Sequence, residues 1–188
     1  NLRDSMEAYD LSMTKDIIRK SIDAFRTDIM ICGARGSGKT ELLISLLDKE
    51  LRYKKVIILG HSRFMLNVLR ERIGTPCRNH KFTTYHNFNT VGRNLDADYI
   101  IMDEFAELKH NRCIEVMNTA QAYNCSIIYF MTPIVYNSKE PHLAKVLWDS
   151  LPCLKFNLGE SPCLKPEDKN YFYPDLWQTE AYSNWVAR

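Results

Sequence analysis

Gly33-Ala34-Arg35-Gly36-Ser37-Gly38-Lys39-Thr40 matches the G-x-x-x-x-G-K-[ST] spacing of a phosphate cradle. Glycines there let successive backbone N–H groups turn inward onto phosphate oxygens. A helix opening at the end of such a loop adds its positive terminus. Lys39 then reaches the β and γ phosphates, and the Thr40 hydroxyl ligates magnesium. A second set follows where the apolar run Tyr99-Ile100-Ile101-Met102 ends in Asp103-Glu104. At a strand end Asp103 can hold magnesium, and Glu104 can orient or deprotonate an attacking water, which favours hydrolysis over group transfer. An isolated Asp-Glu would read as a solvated turn; the buried strand before it decides for function. ATP and Mg2+ are the cofactors these residues imply. Arg35 reads either as charge compensation at the γ phosphate or as a solvent-facing loop residue. Thr132, before Pro133, ends another apolar strand, where its hydroxyl can report the γ phosphate or simply close a turn.

Placing these groups at one edge requires alternating strands and helices. Asp28–Cys32 is a short continuous apolar run, the pattern of a strand buried on both faces. Leu42, Leu43, Leu46, Leu47 and Leu51 mark a helix face directly after the loop. Val56–Leu59, Lys81–Tyr85, Tyr99–Met102 and Ser126–Met131 predict further strands, with helices between them marked by Met65, Leu66 and Leu69 and by Cys113, Val116 and Ala120. The expectation is an α/β P-loop NTPase of the RecA/ASCE type, with a mostly parallel central sheet flanked by helices on both faces. Residues 1–27 predict a helical segment packing on the core, residues 28–150 the ATPase core, and residues 151–188 an extension that is irregular and then helical. Pro141–Trp148 predicts a helix opening on its proline. The chain begins without Met and ends inside a helical pattern without a cap, so a further domain is expected to follow.

The 188 residues fit one domain with a real core. A net charge of +2, from 25 basic and 23 acidic residues, decides nothing about nucleic acid. No run of 18 apolar residues occurs, so no membrane partner is expected. The six cysteines form no C-x-x-C pair and do not combine with the five histidines at zinc-ligand spacing. A reducing compartment fits that pattern best.

The arginine-bearing loop, Ile100-Ile101-Met102-Asp103-Glu104 and Met131-Thr132-Pro133 together resemble the ATPase domain of viral DNA-packaging motors, the terminase large subunits of tailed phages. The resemblance covers roughly residues 28–135. It implies that Arg35 acts at the γ phosphate, that Asp103 and Glu104 bind magnesium and activate water, and that Thr132 couples hydrolysis to movement. It also implies double-stranded DNA as partner, a homo-oligomeric ring, a portal or procapsid, and the host-cell cytoplasm. Two departures stand against it. No Gln precedes residue 121 to hold adenine, leaving Tyr9 as the candidate, and no nuclease domain follows within the chain. The first motor domain of a DNA helicase is the rival reading, since Phe82-Thr83-Thr84-Tyr85-His86-Asn87-Phe88 resembles a segment that touches single strands there. A nucleotide-gated switch is a third reading, disfavoured by Glu104. For DNA the candidates are Lys49, Arg52, Lys54, Lys55, Arg63, Arg70, Arg72, Arg78 and Lys81, which read equally as a solvated basic face. For an arginine offered to a neighbouring subunit they are Arg93 and Arg112.

Overall fold

The computed structural model describes residues 14–22, 27–34, 36–74, 77–132 and 143–158. Helix α1 covers residues 14–22. The alternation then runs β1 (Ile29–Cys32), α2 (Lys39–Asp48), β2 (Val56–Gly60), α3 (Arg63–Ile73) and β3 (His80–Thr84). A 3-10 turn at Tyr85–Asn87 leads into α4 (Phe88–Gly92), then β4 (Tyr99–Met102) and a second 3-10 turn at Phe105–Glu107. The order closes with α5 (His110–Ala122), β5 (Ser126–Met131), α6 (Leu143–Ser150) and β6 (Leu154–Asn157).

Six strands form one sheet in the order β3-β2-β4-β5-β1-β6, and every pairing is parallel. A parallel sheet carries helices on both faces, so its strands are buried twice over. That is why β1, β2, β4 and β5 are apolar runs without alternation, each buried along its whole length. Odd and even residues feed separate cores. Met30, Cys32, Ile57, Leu59, Ile100 and Met102 pack with Phe88 of α4, Cys113 and Val116 of α5 and Leu147 of α6. Ile29, Ile31, Val56, Ile58 and Ile101 pack with Ile18 and Ile22 of α1, Leu42 and Leu46 of α2, and Leu66 and Leu69 of α3. The α/β expectation holds, and the sheet is wholly rather than mostly parallel.

The predicted boundaries shift by about a residue at β1 and β3, and the fifth strand falls on Ser126–Met131 as predicted. Leu154–Asn157 pairs with all of β1 as an edge strand, Leu154 opposite Ile29 and Asn157 opposite Cys32. The predicted helix after Pro174 lies outside the described residues.

Strand order decides which residues can meet. The chain leaves β1 for β2 across the positions of β5 and β4, while β6 lies on the other side of β1. Reversals of this kind open a crevice at the carboxyl ends of the strands, where ligands of open α/β sheets bind. In register, Cys32 lies opposite Met131, and Met102 opposite Leu59 and Tyr129. Gly33, His61, Tyr85, Asp103 and Thr132 therefore all emerge at one edge.

A candidate nucleotide site at the carboxyl edge of the sheet

The loop after β1 is tied at its start, where the Gly33 N–H donates to the Met131 carbonyl at 3.1 Å. It then turns back on itself, the Ser37 N–H donating to Ala34 O at 3.0 Å. Gly38 takes the left-handed region, φ 96° and ψ 17°, at the N-cap of α2. A β-carbon there would be strained. At Gly33 the restriction is space: a Cβ would lie 2.3 Å from Ser37 Oγ and 3.0 Å from Leu158 Cβ. Leu158, just beyond β6, closes that side of the loop through its N–H, which donates to Cys32 O at 2.8 Å.

Lys39 is buried to 9% exposure, and its ammonium donates to Gly33 O at 2.6 Å and Ala34 O at 3.1 Å. Thr40 beside it is exposed. Ser37 Oγ is buried and finds no hydrogen-bond partner among the described residues. A cradle that excludes a β-carbon, an inward ammonium and an unsatisfied buried hydroxyl suit a polyphosphate, because each offers a donor and the helix end favours negative charge. Lys15 of α1 adds a second ammonium, its Nζ 3.2 Å from where a Gly38 β-carbon would stand. Nothing in the sequence around Lys15 marked it for this loop.

Across the crevice, the Asp103 N–H donates to Leu59 O at 3.1 Å, holding the end of β4 against β2. Burial first, and then the adjacent Glu104 carboxylate, push the Asp103 carboxyl up to about 6, against the opposing pull of Lys39, His61 and the Glu104 amide. Lys39 and Glu104 both act on the buried Cys32 thiol as well, in opposite senses, so the loop and the carboxylates share one region of field. Burial still dominates and drives that thiol's pKa far up, leaving Cys32 an inert part of the floor.

Thr40 and Asp103 are the residues that would hold Mg2+, and a bound cation would favour the ionised carboxylate that burial disfavours. The metal-free chain therefore carries a stability cost. Between pH 4 and 6 folded Asp103 binds a proton that the unfolded chain has released, so stability falls as pH rises through that window. Above it the full cost remains, at most about 3 kcal/mol. Asp103→Asn should raise the melting temperature of the ligand-free chain at pH 8, and the gain should shrink towards pH 4. An equal or lower melting temperature at pH 8 would contradict this.

Glu104 follows in the left-handed region at φ 48° and ψ 45°. Its carboxylate reaches sideways to β5, where Oε1 accepts from Thr132 Oγ1 at 2.7 Å and Oε2 from the Thr132 N–H at 3.3 Å. This contact exists because β5 lies between β4 and β1, an ordering no local pattern reveals. Two further residues touch the turn. Tyr85 Oη donates to Asp103 O at 2.7 Å, and His61 Nε2 lies 2.8 Å from Glu104 O.

Gly33, Ala34, Gly36, Ser37, Gly38, Lys39, Thr40, Asp103, Glu104 and Thr132 thus share one edge, as the motifs require. Arg35, Pro133 and Tyr9 lie outside the described residues. The basic candidates do not form one surface. Lys49, Arg52, Lys54, Lys55 and Arg78 lie at the amino edge, away from the loop, where Arg52 pairs with Asp48 and Lys55 with Asp96. A cleft of about 270 Å³ lined by Arg52, Tyr53, Ile73, Arg78 and His80 opens on that far edge. Arg63, Arg70 and Arg72 follow α3, with Arg63 donating to Phe82 O, Arg70 over the Phe82 ring and Arg72 paired with Glu41. Arg112 donates to Tyr85 O at 3.3 Å within the same chain, whereas the Arg93 side chain is exposed.

No protein-family model matches the chain, and no curated protein matches it by sequence. Solved structures match by shape. The Hef helicase domain of Pyrococcus furiosus superposes with a TM-score of 0.57 at 12% identity, over 76% of this chain and 37% of that one. Pif1 from Bacteroides sp, in complex with ADP-AlF4, gives a TM-score of 0.54 at 14% identity, over 84% of this chain and 44% of that one. This chain therefore spans less than half the length of either. At such identity the likeness establishes the fold alone, that of P-loop NTPases, with an all-parallel sheet flanked by helices.

Proposed function

We propose that this domain hydrolyses ATP with magnesium and uses the energy to move along nucleic acid. The observation that carries the reading is the Glu104–Thr132 pair, one residue past Asp103 and across the crevice from Lys39. A nucleotide-gated switch needs the loop and Asp103 but has no use for a second carboxylate oriented from the neighbouring strand. Lys39 and the loop amides bind and orient the phosphates. Thr40 and Asp103 would hold magnesium, which would supply charge neutralisation at the phosphates. Glu104 accepts hydrogen from the attacking water, and Thr132 fixes where that carboxylate lies. Arg35, by its position in the loop sequence, compensates charge at the γ phosphate. Thr132 touches both the catalytic carboxylate and the end of β5, which suits it to pass the nucleotide state onward.

Two substrates for the motor follow from different observations. The arginine-bearing loop with Asp-Glu and Thr-Pro supports packaging of double-stranded DNA into a viral procapsid by a homo-oligomeric ring in the host cytoplasm. The likeness to the Hef helicase domain and to Pif1, with Tyr85 of the Phe82–Phe88 segment donating to Asp103 O, supports the first motor domain of a helicase at least as well. Measuring ATP turnover with equal nucleotide concentrations of duplex and single-stranded DNA separates them. Stimulation by duplex is the result expected of the packaging motor, and stimulation by single strands is the result expected of the helicase. Turnover indifferent to both, at low salt where phosphate contacts are strongest, would overturn the motor reading.

A further inference from the structure

A strand end that must turn away normally does so on glycine, because a side chain in the left-handed region is strained. Glu104 adopts that region, with φ 48°, at the position where the proposed chemistry needs its general base. Something must hold the turn. Two side chains from outside β4 do so, each on a backbone carbonyl. Tyr85, directly after β3, donates from its hydroxyl to Asp103 O at 2.7 Å. His61, directly after β2, lies with Nε2 2.8 Å from Glu104 O. A carbonyl only accepts, so Nε2 carries the hydrogen and donates.

The two side chains also brace each other, their ring centroids 4.9 Å apart at an interplanar angle of 51°. Arg112 of α5 donates to Tyr85 O at 3.3 Å and fixes the residue from behind. The Tyr85 hydroxyl likewise faces a carbonyl that can only accept, so it donates. The His61 side chain is exposed, so core packing does not account for its position. Asp103 O is held by Tyr85, and Glu104 O by His61 together with the Glu107 N–H at 3.1 Å, which restrains the Glu104 backbone in the arrangement whose carboxylate meets Thr132.

We propose that His61 and Tyr85 are positioning residues that set the water-activating carboxylate of Glu104 through its backbone. The inference rests on the ATPase reading above. A clamp of this kind affects the rate of the chemical step, because displacement of a reacting group by about 1 Å can cost on the order of 100-fold. It leaves nucleotide binding alone, since neither residue belongs to the loop.

Steady-state ATP hydrolysis and ADP affinity are to be measured on the full chain and on Tyr85→Phe, His61→Ala and His61→Gln. Tyr85→Phe and His61→Ala should each lower kcat by about 10- to 100-fold while KM and ADP affinity stay within about twofold. His61→Gln presents an amide N–H near the position of Nε2 and should recover most of the rate. In a Glu104→Gln background, His61→Ala should cost little more, because the group it positions is already disabled. The inference is overturned if kcat is unchanged in both single variants, if ADP affinity falls together with kcat, or if His61→Gln is no better than His61→Ala. A wild-type chain that binds ADP yet releases no phosphate would instead overturn the ATPase reading, and this inference with it.

Discussion

Glu104→Gln is expected to leave nucleotide binding intact and to lower ATP turnover by about 100- to 10,000-fold, the range general-base catalysis contributes. The replacement preserves size, so the left-handed turn and the contacts of Tyr85 and His61 with backbone carbonyls are untouched. The amide oxygen can still accept from Thr132 Oγ1, which makes the bond to Oε1 at 2.7 Å in the wild type. The amide nitrogen cannot accept from the Thr132 N–H, so one weaker contact is lost. What disappears is the basicity that takes a proton from water. A drop in kcat with unchanged ADP affinity would assign Glu104 to the chemical step; unchanged kcat would remove it from that role.

The second large effect lies at Lys39. Lys39→Met keeps an unbranched chain but removes the ammonium, which is nearly buried and donates to the Gly33 and Ala34 carbonyls. Nucleotide affinity should fall steeply and turnover by about 100- to 1000-fold, the cost of losing one preorganised donor at a developing charge. Loss of the bonds to Gly33 and Ala34 should also lower stability by about 1–3 kcal/mol. A melting curve of the ligand-free chain separates the two, because a stability loss alone would leave the residual folded protein able to bind ATP. The contrast with Glu104→Gln is diagnostic: one variant should fail to bind, the other should bind and fail to react.

The sequence is legible where physics forces a local signature. A strand buried on both faces must be apolar throughout, which is why β1, β2, β4 and β5 stand out as continuous runs. A loop that cradles phosphate must carry glycine where a β-carbon would clash, as at Gly33, or where the backbone turns left-handed, as at Gly38. The edge strand β6 leaves no such trace, since Leu154-Lys155-Phe156-Asn157 is mixed in character and Leu154 remains 37% exposed. Strand order is equally silent, because it is set by long-range pairing; the Glu104–Thr132 bond depends on β5 lying between β4 and β1. His61 and Tyr85 carry no such signature either, since a donor to a backbone carbonyl needs no partner side chain that a motif could encode. The basic residues give no single surface from their sequence clustering. Clustered in sequence, they divide between α3 and the far edge of the sheet, and several are already paired.

Phosphate release from ATP by the purified chain, with magnesium and with EDTA, against Glu104→Gln under the same conditions, tests the central claim most directly. The account predicts magnesium-dependent release by the wild type, its near loss in Glu104→Gln, and equal ADP affinity in both. Magnesium-independent release, or release by the variant at the wild-type rate, would contradict it.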